Sequence, residues 1–288
     1  MSIVGAIEAG GTKFVCSVGD DNLTLIDQVS IPTGTPDDTM PAVVDFFKPY
    51  LADLKSIGIG SFGPIDIQEN SPTYGHFTNT PKVAWQEFDF VGYVKTHLND
   101  IPVAWTTDVN AAAYGEMTQI EGDSLVYFTI GTGLGGGAIQ RGQFVGGINH
   151  AEMGHILVRK HPEDDYEGYC IFHGDCLEGL ACGPAIEGRT GIKGQDLPED
   201  HQVWDFVAYY LAQAAMISDL TLAPSRIVLG GGVMKQEHLI GKIHSEFERL
   251  MKDYRPTPPL EDYIVTPALG DNAATIGCLA MAKELTKG

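Results

Sequence analysis

Short apolar runs that break at glycines alternate along this chain with longer stretches whose apolar positions recur at helical spacing. Residues 3–9 predict a buried strand, 14–18 a second and 23–31 a third, with Gly10-Gly11-Thr12-Lys13 turning the chain between the first two. Val43, Val44, Phe46, Phe47 and Leu51 predict a helix over 37–51. A strand then runs into the glycine loop around Gly60 and Gly63. Residues 69–88, rich in Pro, Asn, Thr and Tyr, carry no periodicity; they are either a surface excursion or a lid over a ligand. A helix over 88–98, a strand at 103–105 and a helix over 111–119 follow. The opening scheme then recurs: strand 125–130, a turn dense in glycine from Gly131, and strand 137–140. Helices over 203–222, 236–252 and 272–285, with strands at 226–229 and 263–265, complete the pattern.

This pattern predicts an α/β protein of two lobes, each opening on a glycine-tipped hairpin and facing the other across a cleft. The first lobe is 1–113, with the last helix packing back on it, and the second is 114–288. β-Formers follow Gly10-Gly11, whereas in a dinucleotide-binding fold the glycine turn opens a helix; no Walker A spacing is present either.

The 288 residues suffice for two lobes, and charge narrows the partners: 38 acids against 18 bases give a net −20. Such a surface repels nucleic acid and anionic membrane, so an anionic ligand must be gripped locally by backbone N–H groups or a cation. No apolar run approaches the ~20 residues of a membrane span. An odd count of five cysteines, with no basic-plus-apolar leader, predicts a reducing, cytoplasmic setting.

Three glycine clusters end strands: Gly10-Gly11, Gly131 to Gly137, and Gly230-Gly231-Gly232. Glycine tolerates positive φ and lets backbone N–H groups approach phosphate oxygens, with Thr12, Lys13 and Thr132 adding donors. One cluster would mean only a tight turn; three point to ATP. Asp108, between a strand and a helix, is either a helix N-cap or a general base toward an attacking hydroxyl, and Asn110 competes for the capping role. Glu8 is either an acid at a strand end or a ligand for Mg²⁺. His155, Cys170, His173 and Cys176 form a Cys₂His₂ set at gaps of the kind zinc sites use, with His150 and His161 as competing donors; otherwise they are free cysteines beside ordinary histidines. A closed Zn²⁺ site there would be structural and would aim Glu152 and Glu178 at sugar hydroxyls.

The chain resembles the ROK family (repressor, open reading frame, kinase), and within it the fructokinase branch. Ile7-Glu8-Ala9-Gly10-Gly11-Thr12-Lys13 is similar to the family's first phosphate motif, and Thr107 to Ala112 to its catalytic motif. Ile130 through His155 is similar to its signature, and Cys176 through Ile186 to the fructokinase form of the next stretch. The resemblance implies an actin-like ATPase fold of two RNase H-like lobes with a zinc-binding insertion at 155–176. It implies phosphate transfer from ATP-Mg²⁺ to a hexose hydroxyl, most simply fructose, and a homodimer. Asp108 would be the base, Gly63, Asn79, Glu152 and Glu178 sugar contacts, and Gly10 to Lys13, Thr132, Gly133, Pro184 and Gly230 to Met234 nucleotide contacts. Departures are Glu8 where most members carry Asp, His173 in place of a cysteine, and Thr107 where glucokinases carry Asn. A glucose- or mannose-specific kinase and a sugar-sensing regulator are the alternatives; the regulator lacks room for a helix-turn-helix before Glu8, and the acidic surface opposes it.

Overall fold

The computed structural model describes residues 3–287. Its secondary structure resolves into two mixed five-stranded sheets with helices, in two compact units. The first unit runs through Ile120 and adds the segment Gly146–His150 and the chain from Asn272; the second holds Glu121–Val145 and Ala151–Asp271.

In the first unit, β1 (Ile3–Ala9), β2 (Lys13–Gly19) and β3 (Leu25–Pro32) form an antiparallel meander. The helix α1 (Pro36–Phe47) carries the chain over to β4 (Leu54–Ser61), which lies parallel to β1 on its other side. Thr35 starts α1 with a capping box shared with Asp38, and Pro36 sits at the first helical position, where its missing N–H costs nothing. The helix α2 (Phe90–His97) leads to β5 (Val103–Thr107), parallel to β4, giving the order β3-β2-β1-β4-β5. The irregular loop 69–88 is tied down by aromatic side chains: Phe77 and Trp85 are buried and pack with Phe14, Phe62 and Phe90.

The helix α3 starts at Asp108 and runs to Met117, three residues earlier than the pattern predicts. The cap is Thr107, whose hydroxyl accepts from the Asn110 N–H; Asn110 is buried and its side-chain amide donates to Thr106. Neither Asp108 nor Asn110 therefore caps the helix, which corrects the expected competition.

The second unit repeats the order. β6 (Leu125–Ile130) and β7 (Leu134–Gln140) make the hairpin, with β8 (Gln143–Phe144) at its edge. β7 starts three residues before the expected 137, because Gly135 to Gly137 pair with β6 as ordinary strand residues. The short α4 (Leu177–Ala181) and α5 (Gly183–Thr190) precede α6 (Val203–Leu222), which is buried on most sides. β9 (Ile227–Gly230) then pairs parallel with β6. After α7 (Glu237–Met251) and the single turn α8 (Leu260–Tyr263), β10 (Ile264–Val265) pairs parallel with β9. The order β8-β7-β6-β9-β10 matches that of the first sheet strand for strand. The apolar face of α7, Leu239, Ile243, Phe247 and Met251, enters the same core as α6 and β6.

The last helix, α9 (Ala273–Glu284), belongs to the first unit and packs on β1, β4 and α3. The approach is at backbone distance: a Cβ on Gly58 would stand 1.9 Å from the Cys278 carbonyl oxygen, and one on Gly277 1.7 Å from that of Ala111.

Candidate functional site

In the first unit the turn Gly10 to Thr12 closes the β1–β2 hairpin through the Gly10 N–H, which donates to the Lys13 carbonyl at 3.0 Å. Neither Gly10 nor Gly11 adopts positive φ, so the reason given for glycine there is corrected. A Cβ at Gly10 would lie 2.7 Å from the Lys13 carbonyl oxygen, so close approach selects the residue. Gly11, Thr12 and Lys13 are exposed. Glu8 accepts a hydrogen bond from the Thr275 hydroxyl of α9 at 3.0 Å. Asp108 is half-buried in the first turn of α3, with the N–H of Val109 on Oδ1 at 2.8 Å. That turn orients a carboxylate at a strand's carboxyl end, where parallel strands present side chains to ligands. Gly63 lies beside the ring of His150, whose Nε2 accepts from the Ile65 N–H at 3.3 Å; Asn79 is exposed. His150 is thus engaged at Gly63 and is not a metal donor.

In the second unit a cavity of about 390 Å³ is lined by Gly131, Thr132, Gly183, Pro184, Gly232 and Val233, with Ile186 and Trp204 as apolar walls. Of the expected nucleotide contacts it brings Thr132, Pro184, Gly232 and Val233 together, while Gly133, Gly230, Gly231 and Met234 stand outside the lining. Gly230 makes room for Tyr127 and Pro267, Gly231 turns the chain at φ 91°, and Met234 is buried in the core. Glu187, Lys193, Gln195 and Gln236 also line this cavity. Sequence reading missed them because it followed motifs: Glu187, Lys193 and Gln195 lie past the motif that ends at Ile186, and Gln236 lies past the glycine cluster that ends at Met234. The available signal was a polar turn, 193–196, next to an apolar helix.

The Cys₂His₂ set assembles. The donor atoms of His155, Cys170, His173 and Cys176 lie within 4.8 Å of one another. Cys170 Sγ is 3.7 Å from His155 Nδ1 and 3.8 Å from His173 Nδ1, and Cys176 Sγ is 3.6 Å from His155 Nδ1. Tetrahedral Zn²⁺ with bonds of about 2.0–2.1 Å to nitrogen and 2.3 Å to sulfur puts neighbouring N and S at roughly 3.6 Å, so the donors fit it. Burial pushes the Cys176 thiol up to about 11, so a metal must take the place of a proton. His161 stands apart, its ring against Phe206 and Tyr209.

The two acids flank this set along the chain. Glu152 precedes the single helical turn Met153–His155 and is exposed. That turn lies on β7, where a Cβ at Gly154 would come 1.7 Å from the Leu134 carbonyl oxygen. Glu178 is in the first turn of α4, directly after Cys176. Its Oε2 accepts from the Leu134 N–H at 3.0 Å and its Oε1 is 4.0 Å from His155 Nδ1. Asp164 pins the same loop from behind, accepting from Arg189 at 2.8 Å and from the Tyr210 hydroxyl at 2.6 Å.

Two sheets of one strand order, each opening on a hairpin turned at glycine, define an actin-like ATPase fold. The ROK family model matches residues 4–285, and the chain belongs to the ROK family. A fructokinase of Streptococcus mutans is 51% identical over 288 residues, spanning 98% of each chain. A fructokinase of Lactococcus lactis subsp. cremoris is 48% identical over 284 residues, 98% of this chain and 97% of its own. The crystal structure of the ROK hexokinase from Thermus thermophilus superposes with a TM-score of 0.80 at 24% identity, covering 99% of this chain and all of that one.

Proposed function

We propose that the protein is an ATP-dependent fructokinase, converting D-fructose and ATP to fructose 6-phosphate and ADP. The observation that carries this reading is identity of about half the residues, over essentially the full length, to proteins named fructokinase. Asp108 is the base: the sugar hydroxyl oxygen bonds to the γ-phosphorus, its proton passes to Asp108, and the bond to the bridging oxygen breaks with its electrons on ADP. The Gly10 to Lys13 hairpin and Thr132 grip phosphates, and Gly183, Pro184, Gly232 and Val233 wall the nucleotide. Glu152, Glu178, Gly63 and Asn79 hold sugar hydroxyls.

Mg²⁺, when bound, neutralises phosphate charge, and Glu8 is its candidate ligand. Zn²⁺ held by His155, Cys170, His173 and Cys176 would be structural, since four protein donors leave no open position. Five cysteines without a disulfide suit a reducing cytoplasm. Among the described residues no helix is long and apolar enough to cross a membrane. The family resemblance supports a homodimer.

The test is ADP release across a panel of fructose, glucose, mannose and amino sugars. Fructose should give the highest kcat/KM, and Asp108→Asn should lower kcat by about 10²–10⁴-fold with fructose binding retained. Equal turnover of glucose removes the fructose assignment, and a fully active Asp108→Asn removes the base.

A further inference from the structure

Lys82 lies in the loop 69–88 and is its only Lys or Arg. In a chain with 38 acids and 18 bases, a half-buried lysine ordinarily finds a carboxylate. Among the described residues Lys82 has none within ion-pair distance. Its Nζ stands 5.9 Å over the ring of Phe62, the residue before Gly63. Its Cε would be 3.5 Å from a Cβ placed on Gly11, so the ammonium end hangs beside the β1–β2 turn.

The loop holds it there rigidly. On one side Thr80 is fully buried, with its hydroxyl accepting from the Lys82 N–H at 3.4 Å. On the other, the Lys82 carbonyl accepts from the Trp85 N–H at 2.8 Å, and the buried Trp85 indole donates to the Gly34 carbonyl at 2.9 Å. Two buried anchors within three residues of Lys82 leave its four-carbon stem as the only free part. A cation placed in advance beside an exposed backbone turn, with no carboxylate within ion-pair distance among the described residues, is what stabilising charge on a transferring phosphoryl group requires.

We infer that Lys82 is a further catalytic residue, its ammonium contacting the terminal phosphoryl group of the triphosphate at the Gly10-Gly11 turn. This rests on the kinase reading above. Lys82 donates no proton in the step; it balances charge as the γ-phosphoryl group moves to the sugar oxygen. Lys13, the exposed lysine at the start of β2, is the second cation at the same turn.

The test compares Lys82→Met and Lys82→Arg with the parent in steady-state fructose phosphorylation, and in thermal shift with inorganic tripolyphosphate, which needs no sugar and no turnover. Lys82→Met should lower kcat by about 10²-fold or more, with KM for fructose within about threefold. Lys82→Arg should recover part of the loss, and the tripolyphosphate shift should shrink in Lys82→Met. The parent's melting temperature without ligand should be unchanged in both; if the methionine variant unfolds, Lys82→Gln takes its place. A Lys82→Met enzyme with parental kcat and a parental tripolyphosphate shift overturns the inference and leaves the kinase reading standing. A parent that phosphorylates no hexose sinks the kinase reading, and the tripolyphosphate shift alone then judges Lys82.

Discussion

Arg189 and Asp164 show how much one buried pair can govern. Both side chains are nearly fully buried and their atoms lie 2.8 Å apart. Tyr210 adds a hydroxyl, and the Arg189 guanidinium stacks 4.6 Å from the Tyr166 ring. Burial alone would raise the Asp164 carboxyl, but the hydrogen bonds from Arg189 and Tyr210 outweigh it and hold the group below the usual carboxylate range. A depressed folded value means stability present above the unfolded value, about 3.9, and lost as pH falls through the folded one. Acid unfolding should therefore gain a component below about pH 4 that disappears in Arg189→Ala. At neutral pH that variant, leaving a buried charge unpaired, should lose roughly 3–5 kcal/mol in urea titration. An unchanged acid limb would place the pair's role elsewhere. None of this was legible in the sequence, where Asp164 and Arg189 are two charges 25 residues apart with no motif around them. The start of α3 was misread: which of Thr107, Asp108 and Asn110 caps it depends on where the helix begins, and patterning leaves that loose by a few residues.

At the scale of elements, the knot at 155–176 is the one whose chemistry spacing announced. Two short gaps bring Cys170, His173 and Cys176 together locally, and only His155 had to be delivered by the fold. The delivery is by the turn Met153–His155, seated on β7 through Gly154. A sequence pattern cannot give that contact, because it joins segments by backbone packing and not by periodicity. The purified protein should carry about one zinc per chain by mass spectrometry of metals, and stripping it with a strong chelator should lower the melting temperature, because four protein donors make the metal part of the fold. Fructose affinity should fall with it if the set holds zinc, since Glu152 and Glu178 each lie within three residues of a candidate ligand, His155 and Cys176. A chelated protein with parental melting temperature would show that hydrogen bonds such as those of Asp164 hold the loop unaided. The cavity walls from Glu187 to Gln195 were illegible for a related reason: they are specific to how one polar turn folds against Trp204.

At the scale of the whole molecule, both sheets except the two-residue edge strand β8 were readable as short apolar runs, and their shared strand order was hinted at by the two glycine-turned hairpins. The role of α9 was less exposed to sequence reading. Its apolar residues spread around the helix, so periodicity marks a buried helix without saying what buries it. The structure answers with small residues meeting backbone, Gly58 and Gly277 above all. Gly58→Ala should cost about 3 kcal/mol or more, because a carbonyl offers no side chain to swing aside. Calorimetry should register a fall in melting temperature on the order of 6 °C. A shift under about 2 °C would mean that α9 slides along β4 at little expense.

The place of α9 in chain order has an outcome in the cell. As a ribosome extends this polypeptide, the strands that α9 covers, β1 and β4, emerge more than 200 residues before it does, a delay of about ten to forty seconds at common elongation speeds. For that interval the oldest part of the nascent chain carries an uncovered greasy face, and an early stop codon would make that exposure permanent.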